Sequence, residues 1–291
     1  MERMQFFAKV VILITALLVF TSLFRSEMYT HLIFSFKYLS YLIVTIASVV
    51  FLKSKMVSKH FRIFSLVFLF FMFGVLIGIH PSPICALTKA ITQYQLMGFI
   101  PPPMVIMAGA MILFTILANK VFCGWVCPLG CLQEVIFTLS APVKKINVPF
   151  LITNSIRISL LAVFLIVLFS FRINIYNYFN PFELFHWHPD GYILMVTAIV
   201  ILLSLFLFRP FCQFFCPAGI ITWIFEPVSL FKIRSTSDKK CTHCLKCINE
   251  SPCNAINSII ESKKVIPDCF ACGKCIESCP ENALFFSLLR Q

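Results

Sequence analysis

A chain of 291 residues that is 59% hydrophobic and only 12% charged, with mean hydropathy +0.92, cannot hide its apolar surface in a water-soluble core, since soluble domains carry about 25% charged residues. Lipid must replace water around much of it. The net charge of +12 raises nucleic-acid binding, but the C-terminal soluble part lacks the basic stripe with interleaved aromatics that such binding needs, so the charge is read as membrane topology.

A membrane span takes about 20 mostly apolar residues. Six stretches qualify, at roughly 5–24, 31–52, 61–80, 98–118, 150–171 and 192–209. Their Phe, Leu, Ile and Val runs are too long for strands and lack turn residues at the flanks. The first has no small-x-small cleavage site and further spans follow at once, so it reads as a retained helix and not a signal peptide. Lys and Arg in the flanks set the orientation. Arg3 and Lys9 precede the first span, and Lys53, Lys55, Lys59 and Arg62 separate the second from the third. Lys120, Lys144 and Lys145 separate the fourth from the fifth, and Arg209, Lys232, Arg234, Lys239 and Lys240 follow the sixth. The alternate loops hold little beyond Arg25, Lys89 and Arg172. Both termini are therefore expected on the cytoplasmic side. Lys37 and Arg157, near the ends of their spans, read as snorkelling residues. On the outer side, Ser82-Pro83 and Asn180-Pro181 each join an N-cap to proline at the first helical position. Each predicts a short helix at the outer surface.

The chain then repeats itself. One copy, about 61–130, runs helix, capped outer helix, helix, and closes with Phe122-Cys123-x-x-x-Cys127-Pro128-x-Gly130. The other, about 150–219, runs the same way and closes with Phe211-Cys212-x-x-x-Cys216-Pro217-x-Gly219. Beyond each motif an apolar run and a proline lead to Lys145-Ile146 and Lys232-Ile233. Two parallel repeats relate by a pseudo-twofold axis along the membrane normal, which can bring Cys123, Cys127, Cys212 and Cys216 together on the cytoplasmic side. Four converging thiolates would hold an iron–sulfur cluster, Zn²⁺ or Cu(I); the alternative is packed thiols without metal. Cys131 aligns with Ile220 and Cys85 with Glu183, so neither is symmetric and each reads as a buried apolar thiol.

Eight of the 14 cysteines lie between Cys241 and Cys279. A secreted disulfide framework would be one reading of such density, but disulfides do not favour runs of thiols three apart. Cys269-x-x-Cys272-x-x-Cys275-x-x-x-Cys279-Pro280 matches the bacterial ferredoxin run, whose fourth cysteine serves the other cluster. Zinc ribbons pair cysteines in twos, not threes. The upstream run is Cys241-x-x-Cys244-x-x-Cys247, then Cys253 after five intervening residues, with Pro252 before the last cysteine instead of after it. Two extra loop residues cost little chain entropy. Crossed ligation then gives one [4Fe–4S] cluster to Cys241, Cys244, Cys247 and Cys279, and the other to Cys253, Cys269, Cys272 and Cys275. His243, between ligands, reads as a surface residue. The expected architecture is an all-α membrane bundle of six transmembrane helices in two repeats (1–219), an interfacial linker (220–237) and a small α+β two-cluster ferredoxin domain (238–291).

CxxxCPxG after paired spans, followed by a two-cluster tail, resembles the NapH/NosR class of membrane polyferredoxins from about residue 61 onward. The resemblance implies a multi-pass protein of a prokaryotic cytoplasmic membrane. It would pass electrons between the quinone pool or a cytoplasmic donor and a partner redox protein. The CcoG-type proteins, linked to copper oxidase assembly, share related motifs and supply the alternative: a factor that reduces or delivers a metal such as copper. A redox-sensing or structural subunit is a third reading. No S/D-G-A-T motif occurs, so no covalent flavin is expected. Haem is not expected either, because His31, His60, His80, His186 and His188 fall at span ends or in loops and no CxxCH occurs. A quinone site would need a proton acceptor near an interface, for which Glu134 is the inner candidate and Glu183, His186 and His188 the outer ones; Trp187 reads as a membrane anchor. With no nucleophile–base set and no phosphate-binding glycine loop, the chain reads as an electron-transfer subunit and not a stand-alone enzyme.

Overall fold

The computed structural model describes residues 30–77, 82–140, 145–186, 190–235, 241–242, 244–261, 263 and 268–288. The described residues are mostly helical. They form α1 (Thr30–Lys53), α2 (Lys59–Phe70, running on as a π-helical turn Phe71–Leu76), α3 (Pro83–Met97), α4 (Pro102–Ala118), a π-helical turn Phe122–Val126 and α5 (Pro128–Leu139). Next come α6 (Phe150–Phe171), α7 (Tyr176–Phe179), a 3-10 helix Pro181–His186, α8 (Gly191–Ser204), α9 (Pro210–Phe214), α10 (Pro217–Phe225) and a 3-10 turn Glu226–Val228. Strand β1 (Phe231–Ser235), three short helices α11 (Lys246–Glu250), α12 (Ala255–Ile260) and α13 (Lys274–Glu277), and strand β2 (Leu284–Leu288) complete it. The two strands pair antiparallel with Phe231 opposite Leu288 and Ser235 opposite Leu284. The segment expected to be only a linker, 220–237, thus supplies half of the tail's sheet.

The helix starts follow the capping chemistry. The Ser82 hydroxyl accepts from the Cys85 N–H, with Pro83 in the first turn of α3. The second outer element is a 3-10 helix, its entry fixed by the Asn180 side chain accepting from the Phe182 N–H at 3.3 Å. Gly98 stops α3 in the left-handed region at φ 74°, and Pro101 to Pro103 cannot extend a helix backward. For that reason α4 begins at Pro102, four residues later than the expected span.

Among the described residues two helices are long and apolar enough to cross a membrane, Lys59–Leu76 and Phe150–Phe171. Tyr38–Lys53, Pro102–Ala118 and Gly191–Ser204 are apolar but shorter. Along α6, Leu151, Ile166, Phe169 and Phe171 are exposed, an apolar face of the kind that lipid covers. The expected first span at 5–24 lies outside the described residues, as do His80, Trp187, His188 and His243 and the side chains of His31, Lys37 and His186.

The two CxxxCP turns close on the same backbone. Cys127 (φ −65°, ψ 113°) and Cys216 (φ −73°, ψ 114°) are the N-caps of α5 and α10, each followed by proline in the first turn. In both turns the second cysteine donates its N–H to the preceding phenylalanine carbonyl, Cys127 to Phe122 and Cys216 to Phe211, at 3.0 Å. Gly130 and Gly219 take the same role: a Cβ on Gly130 would strike the Arg209 guanidinium and the Cys123 carbonyl. One on Gly219 would strike the Arg157 guanidinium and the Cys212 carbonyl. Only a residue without a side chain lets the helix start pack so closely on the turn before it.

Candidate iron–sulfur centre

Burial and mutual repulsion tie the four paired-motif thiols together. Burial pushes the Cys123 thiol up to about 11, with Cys212 adding to the rise. Burial raises Cys127 and Cys216 as well, and Cys212 and Cys123 push each further. The four cysteines therefore lie close enough to raise one another's thiols, with Cys127 buried and Cys123, Cys212 and Cys216 half-buried. Gln133 fixes one of them: its amide lies 3.6 Å from the Cys212 Sγ while its carbonyl accepts from the Phe211 N–H at 2.9 Å. Neutral buried thiols in this arrangement release protons when they bind metal.

In the tail, Cys241, Cys244, Cys247 and Cys279 line one cavity of about 230 Å³ together with Leu245 and Ile260. Cys279 arrives there from the downstream run, and the Ala283 N–H points at its sulfur at 3.3 Å. The other four tail cysteines lie deeper. Burial raises Cys253 to about 12 with Cys272 beside it, and Cys269 and Cys275 are raised by burial with Cys253 among their neighbours. Cys253, at the end of the long loop, thus lies near Cys269, Cys272 and Cys275. Among the described residues no three Cys, His, Asp or Glu side chains converge on a single-ion position; the first set surrounds a cavity instead.

Phe270, between Cys269 and Cys272, joins the tail to the paired motifs. It forms a buried cluster with Phe137 and Phe208, against which Cys123, Cys212 and Cys253 all pack. The fit is tight. A Cβ on Gly124 would overlap the Phe270 carbonyl oxygen, the Trp125 indole donates to the Ala271 carbonyl at 3.0 Å, and Ala271 sits in the left-handed region at φ 47°. A non-glycine residue held there stores backbone strain that the surrounding contacts must offset.

Sequence reasoning missed the charges around this junction. Arg62, Lys120, Arg157 and Arg209 are all buried, so three residues counted above as topology signals, and Arg157, read as snorkelling, turn into the protein and not toward lipid headgroups. Arg157 turns inward, donating to the Asn154 side chain at 2.8 Å and the Cys212 carbonyl at 3.3 Å. Arg62 and Arg209 both donate to the Gly124 carbonyl at 2.8 Å. The signal was available: Lys120 and Arg209 stand at the same place before each motif, and Arg62-Ile63 and Arg157-Ile158 recur in the first helix of each repeat.

Glu134, the inner quinone candidate, is fully buried between Arg62 at 3.0 Å and Arg209 at 2.6 Å. Burial alone would raise its carboxyl, but the guanidiniums of Arg62 and Arg209, with Lys274, hold it well below the usual carboxylate range. A carboxylate pinned in this way accepts no proton near neutrality, so it is not the proton acceptor expected. Glu183 pairs with Lys89 at 3.0 Å. Cys131 and Cys85 are buried; the first points at the Trp125 carbonyl and the second lies 3.9 Å from the Asn180 amide.

Glu226 behaves oppositely. Burial pushes it up to about 7 from 4.5, only partly opposed by Lys120 and assisted by Asp268. The folded state thus keeps a proton that the unfolded chain has already released. Stability from this group is full below the ordinary carboxylate range and is lost as pH rises through about 7. Glu226→Gln should flatten thermal stability measured from about pH 5 to about pH 7; a slope equal to the parent's would refute this assignment.

A family model described as a 4Fe-4S binding domain matches residues 100–149 and 187–234, covering both CxxxCP turns. The ferredoxin-type protein NapH of Haemophilus influenzae is 27% identical over 65% of this chain and 70% of its own length. NapH of Escherichia coli K12 is 25% identical over 62% of this chain and 67% of its own. The electron transport protein YccM of E. coli K12 is 27% identical over 62% of this chain. The chain spans only 54% of YccM. No solved structure matches.

Proposed function

We propose that the chain, similar to the NapH-type ferredoxin proteins, is a membrane-bound iron–sulfur electron-transfer relay with three [4Fe–4S] sites. Cys241, Cys244, Cys247 and Cys279 hold the first. Cys253, Cys269, Cys272 and Cys275 hold the second. Cys123, Cys127, Cys212 and Cys216 hold the third. Thiolate-bound clusters of this kind exchange single electrons with little rearrangement. The protein's part is to bury the thiols, to set the three groups in a row, and to seat the tail against the paired motifs.

One observation carries the reading. The two matched stretches of the 4Fe-4S binding domain each contain one CxxxCP turn, and Cys212 and Cys123 raise the thiols of Cys127 and Cys216, which supports one site made by both turns. The cavity bounded by Cys279 and the upstream triplet supports the crossed ligation of the tail. Six spans with both termini on the cytoplasmic side would place the row at the cytoplasmic face. Such a row does not cross about 30 Å of hydrocarbon, so the reading includes a quinone or a partner redox protein to complete the path between a cytoplasmic donor and its acceptor.

Iron and acid-labile sulfide counts on anaerobically purified protein test it. Three cubanes give about twelve of each per chain, and two give about eight. A count near eight would refute the third site and leave a two-cluster tail.

A further inference from the structure

Two buried carboxylates at the junction each take one cation from each repeat. Glu134 takes Arg62 from the first repeat and Arg209 from the second. Asp268 of the tail takes Lys120 from the first and Arg157 from the second, the latter at 3.2 Å. The repeat alignment that pairs the CxxxCP turns pairs Arg62 with Arg157 and Lys120 with Arg209. It therefore carries the Glu134 cation pair onto the Asp268 cation pair. The motif alignment puts Trp223, not a carboxylate, at the position equivalent to Glu134. The second repeat lacks the acid that its symmetry demands.

We infer that Asp268 is that missing acid, supplied by the tail: a positioning residue that locks the cysteine-rich module onto the seam between the repeats. Without it, Lys120 keeps only Glu226, at 3.5 Å, and Arg157 loses its ion pair, leaving buried cations short of charge. The tail is thus a structural member of the membrane part and not a tethered domain. The lock also fixes a neighbour. Asp268 is two residues from Phe270, which packs on Cys123 and Cys212 and lies beneath the guanidinium of Arg209 at 5.0 Å. Holding Asp268 therefore holds the second and third cysteine sets against one shared phenylalanine cluster, Phe137, Phe208 and Phe270. Its bearing on electron transfer rests on the paired motifs holding a cluster; the lock itself does not.

The test uses the full chain, purified without oxygen in detergent, as parent, Asp268→Asn and Lys120→Met. Both substitutions remove charge at nearly constant shape. Two readouts are needed: amide exchange along the tail, and the magnetic broadening that a reduced third cluster adds to the tail signals. Both variants should exchange roughly tenfold or more faster across 271–276, with exchange in α6 unchanged, and should lose the broadening the parent shows. If Asp268→Asn also loses tail iron, Lys120→Met decides, because Lys120 lies outside the tail. Exchange at the parental rate in Lys120→Met would overturn the lock. A parent with no broadening and about eight irons would instead refute the third cluster, while the exchange comparison still judges the lock.

Discussion

Replacing Glu134 by glutamine should sharply lower both the yield and the melting temperature of folded protein. The substitution keeps the shape of the side chain but leaves Arg62 and Arg209 buried with no anion between them, and Lys274 4.0 Å away adds a third positive charge. Removing one partner from a buried ion pair costs about 3–5 kcal/mol, and here one carboxylate serves two guanidiniums. A domain's whole stability is about 5–15 kcal/mol, so the loss consumes much of it. The arginines cannot escape by turning to water, because their remaining N–H groups hold the Gly124 and Cys123 carbonyls inside the first CxxxC turn. Failure should therefore reach the turn itself and show as lost iron as well as a lowered melting temperature. The double variant Glu134→Gln with Arg209→Gln should be less damaged than the two single losses combined, since it removes the unpaired charge along with its partner. Size-exclusion profiles and thermal unfolding in detergent measure both. A Glu134→Gln protein melting within a few degrees of the parent would refute the assignment.

The same carboxylate shows what the sequence could and could not say. Signals confined to a few neighbouring residues were legible: the hydroxyl of Ser82 before Pro83, the threefold spacing of Cys269, Cys272 and Cys275, and the duplicated Cys-Pro turn with its glycine. Each depends on backbone geometry within one turn. What failed depends on distant partners. Asp268, one residue before a cysteine in a soluble tail, looks like an ordinary exposed acid until Lys120 and Arg157 close on it. Arg157 looks like a snorkelling residue until the tail arrives to cover it. The strand Phe231–Ser235 was hidden in a linker because its partner, Leu284–Leu288, lies at the far end of the module. Repeat symmetry bridges the two scales. Extended to the cations at Lys120 and Arg209, it marks them as a matched pair, and matched cations beside matched cysteines point inward and not to the lipid headgroups.

Alanine at Cys123 and Cys216 together should lower iron from about twelve to about eight per chain, the largest compositional change expected from any two substitutions outside the tail. One cysteine comes from each repeat, so the pair removes half the ligands of the third site while leaving both helix starts capped by proline. Signals from the tail clusters should persist, because neither Cys123 nor Cys216 is assigned to them. Alanine at Cys85 and Cys131 is the control: both thiols are buried, yet they lie outside the symmetric set, and iron should stay at the parental count. The comparison separates ligation from packing, since all four substitutions remove a sulfur of the same size and the fully buried control pair leaves cavities at least as costly as the half-buried Cys123 and Cys216. A packing role alone would lower stability in both pairs and iron in neither. Iron unchanged in the Cys123 and Cys216 variant would remove the third site, and the junction at Phe270 would then join the tail to a metal-free turn.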